Sequence, residues 1–448
     1  MRQWLAAGIL ATVGMAGGGA SLFTVEERTA LVRFWNAPGR LVESFPPEAA
    51  ERGIYQVRLT PEGSRWLLAY QRALGAQGLP PTRDAAATSP AAERWERWLR
   101  ARVAYDEWRA QTSANEVNRA LGATGVPPED PPPPPDPGAM PEDLRAAVGE
   151  APPFALPEMI RRAVVTFPDG EQYVYQSHVR VRPRYAYYRW PQGTVALGPL
   201  LRDMPAADLA ALFAAAGFTP SEQRIAREVS RLEGGFESIN TYDTGYVSVG
   251  FIQFITGENG RGSLAEVLAR MKRDDPAAFA RDFHAYGIDV DSVPTLVVVD
   301  PDTGEERVGA AAVMAVIRDR RLTAVFQRAG RHSQAFRLAQ IRVAKERYWP
   351  ANDRFTVTVG GRTLTGRVGD VIRSEAGMAT LFDRKINRGN LGPFAEVVAA
   401  VMAERGLTTL DEAAAFEREI VARMRYRADF LAVSSLSQPP PIDRPIER

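Results

Sequence analysis

The sequence predicts an α+β fold that is mainly α, with helical regions on both sides of a β-rich segment and small β-hairpin insertions. Three observations predict it. Apolar residues recur at helical spacing from residue 24 to about 120, and helical patterns dominate again from about 203 onward. Between them, AVVTFPDGEQYVYQ alternates apolar and polar residues around Pro168-Asp169-Gly170, the pattern and turn chemistry of a hairpin. GVPPEDPPPPPDPGAMP, at 125–141, separates the two regimes, because five consecutive prolines cannot donate backbone hydrogen bonds and favour an extended spacer.

A chain of 448 residues has material for two or three domains. Lys plus Arg (55) nearly cancels Asp plus Glu (54), so the balance does not point to nucleic acid. There is no cysteine, which excludes disulfides and thiolate metal sites. The three histidines, His178, His284 and His332, are too far apart for an HExxH pair, and we expect neither metal nor cofactor. Phosphate-loop, dinucleotide and nucleophile-elbow motifs are absent as well.

Taken in order, MRQWLAAGILATVGMAGGGAS has one basic residue, a short apolar run and small residues near Ala20. It reads as a signal peptide over 1–20, which implies a secreted or cell-envelope protein. No later run is long enough to span a membrane as a helix. Residues 22–120 read as a separate tryptophan-rich helical domain, with Trp95, Trp98, Leu99 and Val103 on one core-facing stripe. The linker is assigned to 121–155 and a β-rich segment to 156–200. In the latter, Tyr185, Tyr187, Tyr188 and Trp190 either line a saccharide groove or form the two faces of one strand.

A mainly helical domain follows over 203–432. Its β interruptions turn at Asp300-Pro301-Asp302-Thr303-Gly304 and at Gly360-Gly361. Thr409 and Glu412 have capping-box spacing and start a late helix. Residues 436–448 read as a disordered tail.

The chemistry concentrates in RLEGGFESINTYDTGYVSVGFIQF, 231–254. Ile225, Val229 and Leu232 share a helix face, and Glu233 continues that apolar stripe with a carboxylate. The negative end of the helix dipole disfavours its ionised form by about 0.3–1 kcal/mol, roughly 0.2–0.7 pKa unit. Burial adds in the same direction, which suits a general acid. Asp243 is the first choice for a second catalytic carboxylate, ahead of Glu237 and Glu258, because Tyr242 and Thr244 flank it on a turn-forming loop. Tyr242, Thr244, Ser248 and Gln253 are candidate substrate-binding residues.

Glu233 and Phe236, followed by Ser248-Val249-Gly250-Phe251-Ile252-Gln253, resemble the catalytic segment of the lysozyme-like superfamily. That group includes lytic transglycosylases, goose-type lysozymes and chitosanase-like glycoside hydrolases. SEAGMATLFDRKINRGN (374–390) resembles the helix that packs behind their cleft. The likeness covers roughly 218–432 and has two departures: Gly234 stands where transglycosylases usually carry Ser, and chitosanase-like enzymes place a second carboxylate further along the chain than Asp243. It implies a lysozyme-like catalytic domain with Glu233 as acid, Gln253 lining the cleft and Ser248 in support. The implied substrate is a β-1,4-linked amino-sugar polymer, peptidoglycan or a chitosan-like chain, cleaved by hydrolysis or transglycosylation. The alternative is a non-catalytic glycan-binding or structural envelope protein, or a phage-type one, on the same scaffold.

Overall fold

A computed structural model describes residues 21–76, 89–177 and 188–441. The expected signal peptide, Tyr185, Tyr187 and the last residues of the tail lie outside them. The described chain is mixed α+β, about 49% helix and 14% strand, hence mainly α.

Among the described residues two main cores organise the molecule, beside a small cluster of Phe23, Leu31, Val297 and Val299. The larger joins Trp35, Val165, Phe167, Tyr173 and Tyr175 to residues from Leu201 through Leu436. The smaller holds Trp66, Tyr70, Trp95, Trp98 and Leu99 with Leu144, Phe154 and Tyr188. The tryptophan stripe of helix Pro90–Ala120 is therefore core.

This division corrects the expected boundaries. Helix Val25–Trp35 belongs to the large core, where Trp35 buries its ring and donates Nε1–H to the Tyr286 carbonyl. The segment expected as a linker lies along helix Pro90–Ala120 instead of running free. A proline has no N–H, but its carbonyl still accepts. Trp108 donates to the Pro131 carbonyl, Arg119 to the Pro127 carbonyl, and Asp130 pairs with Arg119 and Asn115. The start of the expected tail is docked too: Leu436 is buried, and the Ser437 N–H donates to Glu375.

Among the described residues, five small sheets complete the fold. Strands β1 (Leu41–Ser44), β4 (Arg162–Thr166) and β5 (Gln172–Gln176) form one, with the Pro168-Asp169-Gly170 turn closing the β4–β5 hairpin as its sequence requires. β2 (Tyr55–Leu59) pairs with β3 (Ala155–Met159). β6 (Val195–Ala196), β7 (Ile239–Asn240), β8 (Ser248–Val249) and β9 (Phe254–Ile255) form a short antiparallel meander that carries the candidate site.

β10 (Ile288–Val290), β11 (Leu296–Val299) and β12 (Glu306–Val308) make a second meander. In its 300–304 turn, Asp300 accepts from the backbone of Asp302 and Thr303 and from Arg307. The β13 (Arg354–Val359) and β14 (Arg362–Arg367) hairpin turns at Gly360 and Gly361, both at positive φ. Thr409 and Glu412 form the expected capping box, but the helix it starts ends at Ala414 and a second begins at Glu417.

Two helices frame the site. Helix Pro220–Ser230 starts at a Thr219–Glu222 capping box and packs on helix Glu375–Arg388. The latter is buried along its first nine residues and capped by Ser374.

Candidate active site

The helix before Glu233 ends at Ser230, three residues earlier than the stripe suggests. The chain then tightens into a turn in which the Glu233 and Gly234 N–H groups both donate to the Ser230 carbonyl. That turn swings Leu232 outward, to 39% exposure, against the expectation that it would share the apolar face. It swings Glu233 inward, leaving its side chain 13% exposed. Gly234 follows at φ +142°, where an added Cβ would lie 2.3 Å from the Ser238 hydroxyl oxygen.

Glu233 does not pair with Arg227 or Arg231 of its own helix; Arg231 pairs with Glu228. Its partners come from far along the chain. Arg427 donates to Glu233 Oε1 at 2.6 Å and Asn387 Nδ2 donates to the same oxygen at 3.1 Å. Arg427 also bonds Asp383, which is almost fully buried, and Asn387 donates to the Asp383 carbonyl. Loss of water around Glu233 pushes its carboxyl above the ordinary range, and the nearby Asp383 charge adds to this. Arg427 and Asn387 pull the other way and do not cancel the burial. Among the described residues, both hydrogen bonds land on Oε1, so a proton would sit on Oε2.

Asp243 couples to the same centre. Burial pushes its carboxyl up to about 6, against hydrogen bonds from the Gly245 N–H and Asn240, and the Glu233 charge pushes in the same direction as burial. The Gly245 N–H donates to Asp243 Oδ1 at 2.7 Å and Asn240 Nδ2 to Oδ2 at 2.6 Å. Asn240 closes β7 and Ser248 opens β8 directly opposite it. A Cβ at Gly245 would stand 2.6 Å from Ser248 Oγ and 3.1 Å from Asp243 Oδ1, so the loop needs glycine there to bring Ser248 beside Asp243.

The remaining candidates divide. Tyr242 is held by its backbone, its carbonyl accepting from the Arg189 and Trp190 N–H groups, and its ring meets buried Tyr188. Gln253 adopts φ +56° and returns its amide to the Gly250 carbonyl within its own turn. Thr244 is exposed. Among the described residues, no contact joins Gln253 or Thr244 to either carboxylate. Tyr246 and Gln253 are the non-glycine residues at positive φ among those described, and both sit beside β8, where local strain concentrates.

Of the lesser carboxylate candidates, Glu237 is buried and locked onto Arg331 at 2.6 Å, while Glu258 is exposed beside the Tyr246 hydroxyl. Trp190, expected in a groove or strand, packs against Tyr246 with Arg189 over both rings.

Asp383, Asn387 and Arg427 are functional neighbours that the sequence reading did not name. Asp383 had a usable signal: it falls seven residues after Ala376 and four after Ala379, a carboxylate on an apolar helix face, as Glu233 was expected to be. Arg427 had none, since its role depends on a contact 194 residues away. Among the described residues no cluster of His, Asp and Glu suits a metal ion, and no helix is long and apolar enough to cross a membrane. Set beside models of known protein families, curated proteins and solved structures, the chain matches none.

Proposed function

We propose that this protein cleaves a β-1,4-linked amino-sugar polymer, most simply peptidoglycan of the cell envelope, with Glu233 as general acid. One observation carries the reading. Glu233 is a carboxyl withdrawn from water and held above its ordinary range despite an arginine, and its charge helps to raise a second carboxyl, Asp243. A carboxyl held up in this way can carry the proton that a general acid needs. In this reading Glu233 donates that proton from Oε2 to the departing glycosidic oxygen. As charge arrives on its carboxylate, Arg427 and Asn387 are already in place to receive it at Oε1. Asp243 is the second carboxyl of this reading, facing the oxocarbenium-like transition state. A secreted or envelope location follows from this substrate.

The Arg427–Glu233 ion pair is also what a non-catalytic glycan-binding scaffold would use to hold this turn rigid. Release of soluble glycan from purified cell wall separates the readings. Glu233→Gln should lower the rate by about 10²–10⁴-fold, the usual contribution of a general acid, with an optimum on the acidic side in the wild type. Binding to the wall without product from the wild type would assign the scaffold role instead.

A further inference from the structure

Three basic side chains follow Asp383 on helix Glu375–Arg388: Arg384, Lys385 and Arg388. Lys385 is neutralised by Asp353 at 2.6 Å, and nearby Arg427 by Glu233 and Asp383. Arg384 and Arg388 have no carboxylate within ion-pair distance among the described residues. Both guanidinium groups lie over one ring, that of Tyr426, at 5.5 Å and 4.8 Å from its centroid. Tyr426 is 38% exposed, Arg388 is exposed and Arg384 is half-buried.

Their positions track the residues that hold Glu233. Arg384 follows Asp383, Arg388 follows Asn387, and Tyr426 precedes Arg427. Arg388 and Tyr426 thus stand next in the chain to the two side chains that bond Glu233, and Arg384 shares the helix face of Arg388, four residues before it.

Such an arrangement is not free. Burial and the charge of Arg388 together hold Arg384 below the usual guanidinium range. A ring repays about 0.5–1 kcal/mol per exposed cation. The C-terminal end of a helix favours a nearby cation by about 0.3–1 kcal/mol. These terms account for one arginine; they give no reason for two to share a ring with no carboxylate in ion-pair distance, the charge of Asp383 reaching Arg384 only from farther off. Arg384 is further fixed by its Nε–H, which donates to the Gly392 carbonyl at 2.6 Å and leaves the terminal nitrogens to point elsewhere.

We infer that Arg384, Arg388 and Tyr426 form a carboxylate-binding subsite beside Glu233. It selects an acidic glycan, such as a muramyl strand bearing lactyl or peptide carboxylates, over a neutral or cationic amino-sugar polymer. The sugar ring has Tyr426 to stack on, and the carboxylate meets both guanidiniums, the planar donors best suited to it. The inference rests on the reading of Glu233 as the acid, yet its test reads binding rather than cleavage.

The experiment uses the full chain carrying Glu233→Gln, titrated with three soluble oligomers. These are peptide-free muramyl strands, N-acetylglucosamine oligomers and chitosan oligomers. The muramyl strand should bind at least about tenfold more tightly than the neutral oligomer, the order of one charge-assisted hydrogen bond. The advantage should shrink at about 0.5 M salt, where screening reaches within a few ångströms. Adding Arg384→Gln and Arg388→Gln should erase the preference while leaving neutral-oligomer binding and the melting temperature unchanged. Arg388→Lys should keep part of it. If the double change lowers the melting temperature, exposed Arg388→Gln alone should still narrow the gap. Equal affinity for acidic and neutral strands, or a preference that survives the double change, overturns the subsite. Cleavage retained by Glu233→Gln, with the acidic preference intact, would sink the acid assignment and leave the subsite standing.

Discussion

Helix Glu375–Arg388 meets an arginine–glutamate pair at each end, and the two pairs behave in opposite ways. At its start, Glu375 accepts from Arg224 through Nε and Nη2 and from the Ser437 N–H, with both carboxylate oxygens occupied. Those donors hold Glu375 below the ordinary carboxylate range even though its side chain is only 6% exposed. Near its other end, Glu233 is set deeper among surrounding atoms, receives its hydrogen bonds on one oxygen and is held above that range. Depth of burial and donor supply act together: Glu233 loses more of its water and has donors on one oxygen, while donors on both oxygens of Glu375 replace part of the lost hydration of its charged form. One end of the helix is a clamp, and the other has the properties of an acid.

Three changes would break or sharpen this contrast. The largest effect is expected at the clamp. Glu375→Gln removes a charged acceptor from half-exposed Arg224 and should destabilise the fold by about 1.5–3 kcal/mol, read from denaturant unfolding at neutral pH. Because the folded state holds Glu375 below 4.5, its stabilisation is present above that pH and lost as pH falls through the folded value. The gap between wild type and variant should therefore close in acid; a gap independent of pH would mean that Glu375 acts by packing alone.

Asp243→Asn should act with the opposite sign. The Asp243 carboxyl rises from 3.8 to about 6 on folding, so its contribution is full below about 4 and disappears as pH climbs through about 6. Replacing it removes the cost of keeping a charge in a half-buried loop at neutral pH. We expect a gain of about 1–2 kcal/mol at pH 7–8, after allowing for the water that reaches the site. Little or no gain should appear at pH 4, and glycan release should fall. A variant less stable than wild type at pH 8 would contradict the raised carboxyl.

The smallest effect is expected from Asn387→Ala, which removes one donor from Glu233 Oε1. Stability should change by under about 1 kcal/mol, since the side chain is exposed. The alkaline limb of the activity profile should move upward, because Asn387 holds the Glu233 carboxyl down. An unmoved limb would show that this hydrogen bond is not felt by the group that titrates.

Much of the fold was legible before any coordinates. The β4–β5 hairpin follows from its alternation and its Pro168-Asp169-Gly170 turn, and the tryptophan stripe of 95–103 from helical spacing. Local chemistry suffices for such features. The domain boundaries were less legible, since proline composition reports missing donors and says nothing of carbonyls able to accept from Trp108 and Arg119. The tail was misread over 436–441 for a similar reason: its polar composition hides one buried Leu436 and the Ser437 contacts to Glu375.

At the site, sequence alone singled out Glu233 and Asp243 and the short turn-rich segment joining them, because unusual residue types at helix ends and tight loops can be seen within a window of about twenty residues. It also assigned the wrong neighbours: Leu232 points outward, and Glu237 is consumed by Arg331. What surrounds Glu233 was decided by tertiary structure, which draws Asp383, Asn387 and Arg427 from 150 to 194 residues away onto one carboxyl. The physical reason is that burial and hydrogen-bond supply are properties of a place in space. A sequence can mark a residue as able to hold a proton, but the field that makes it do so is assembled only when distant helices pack.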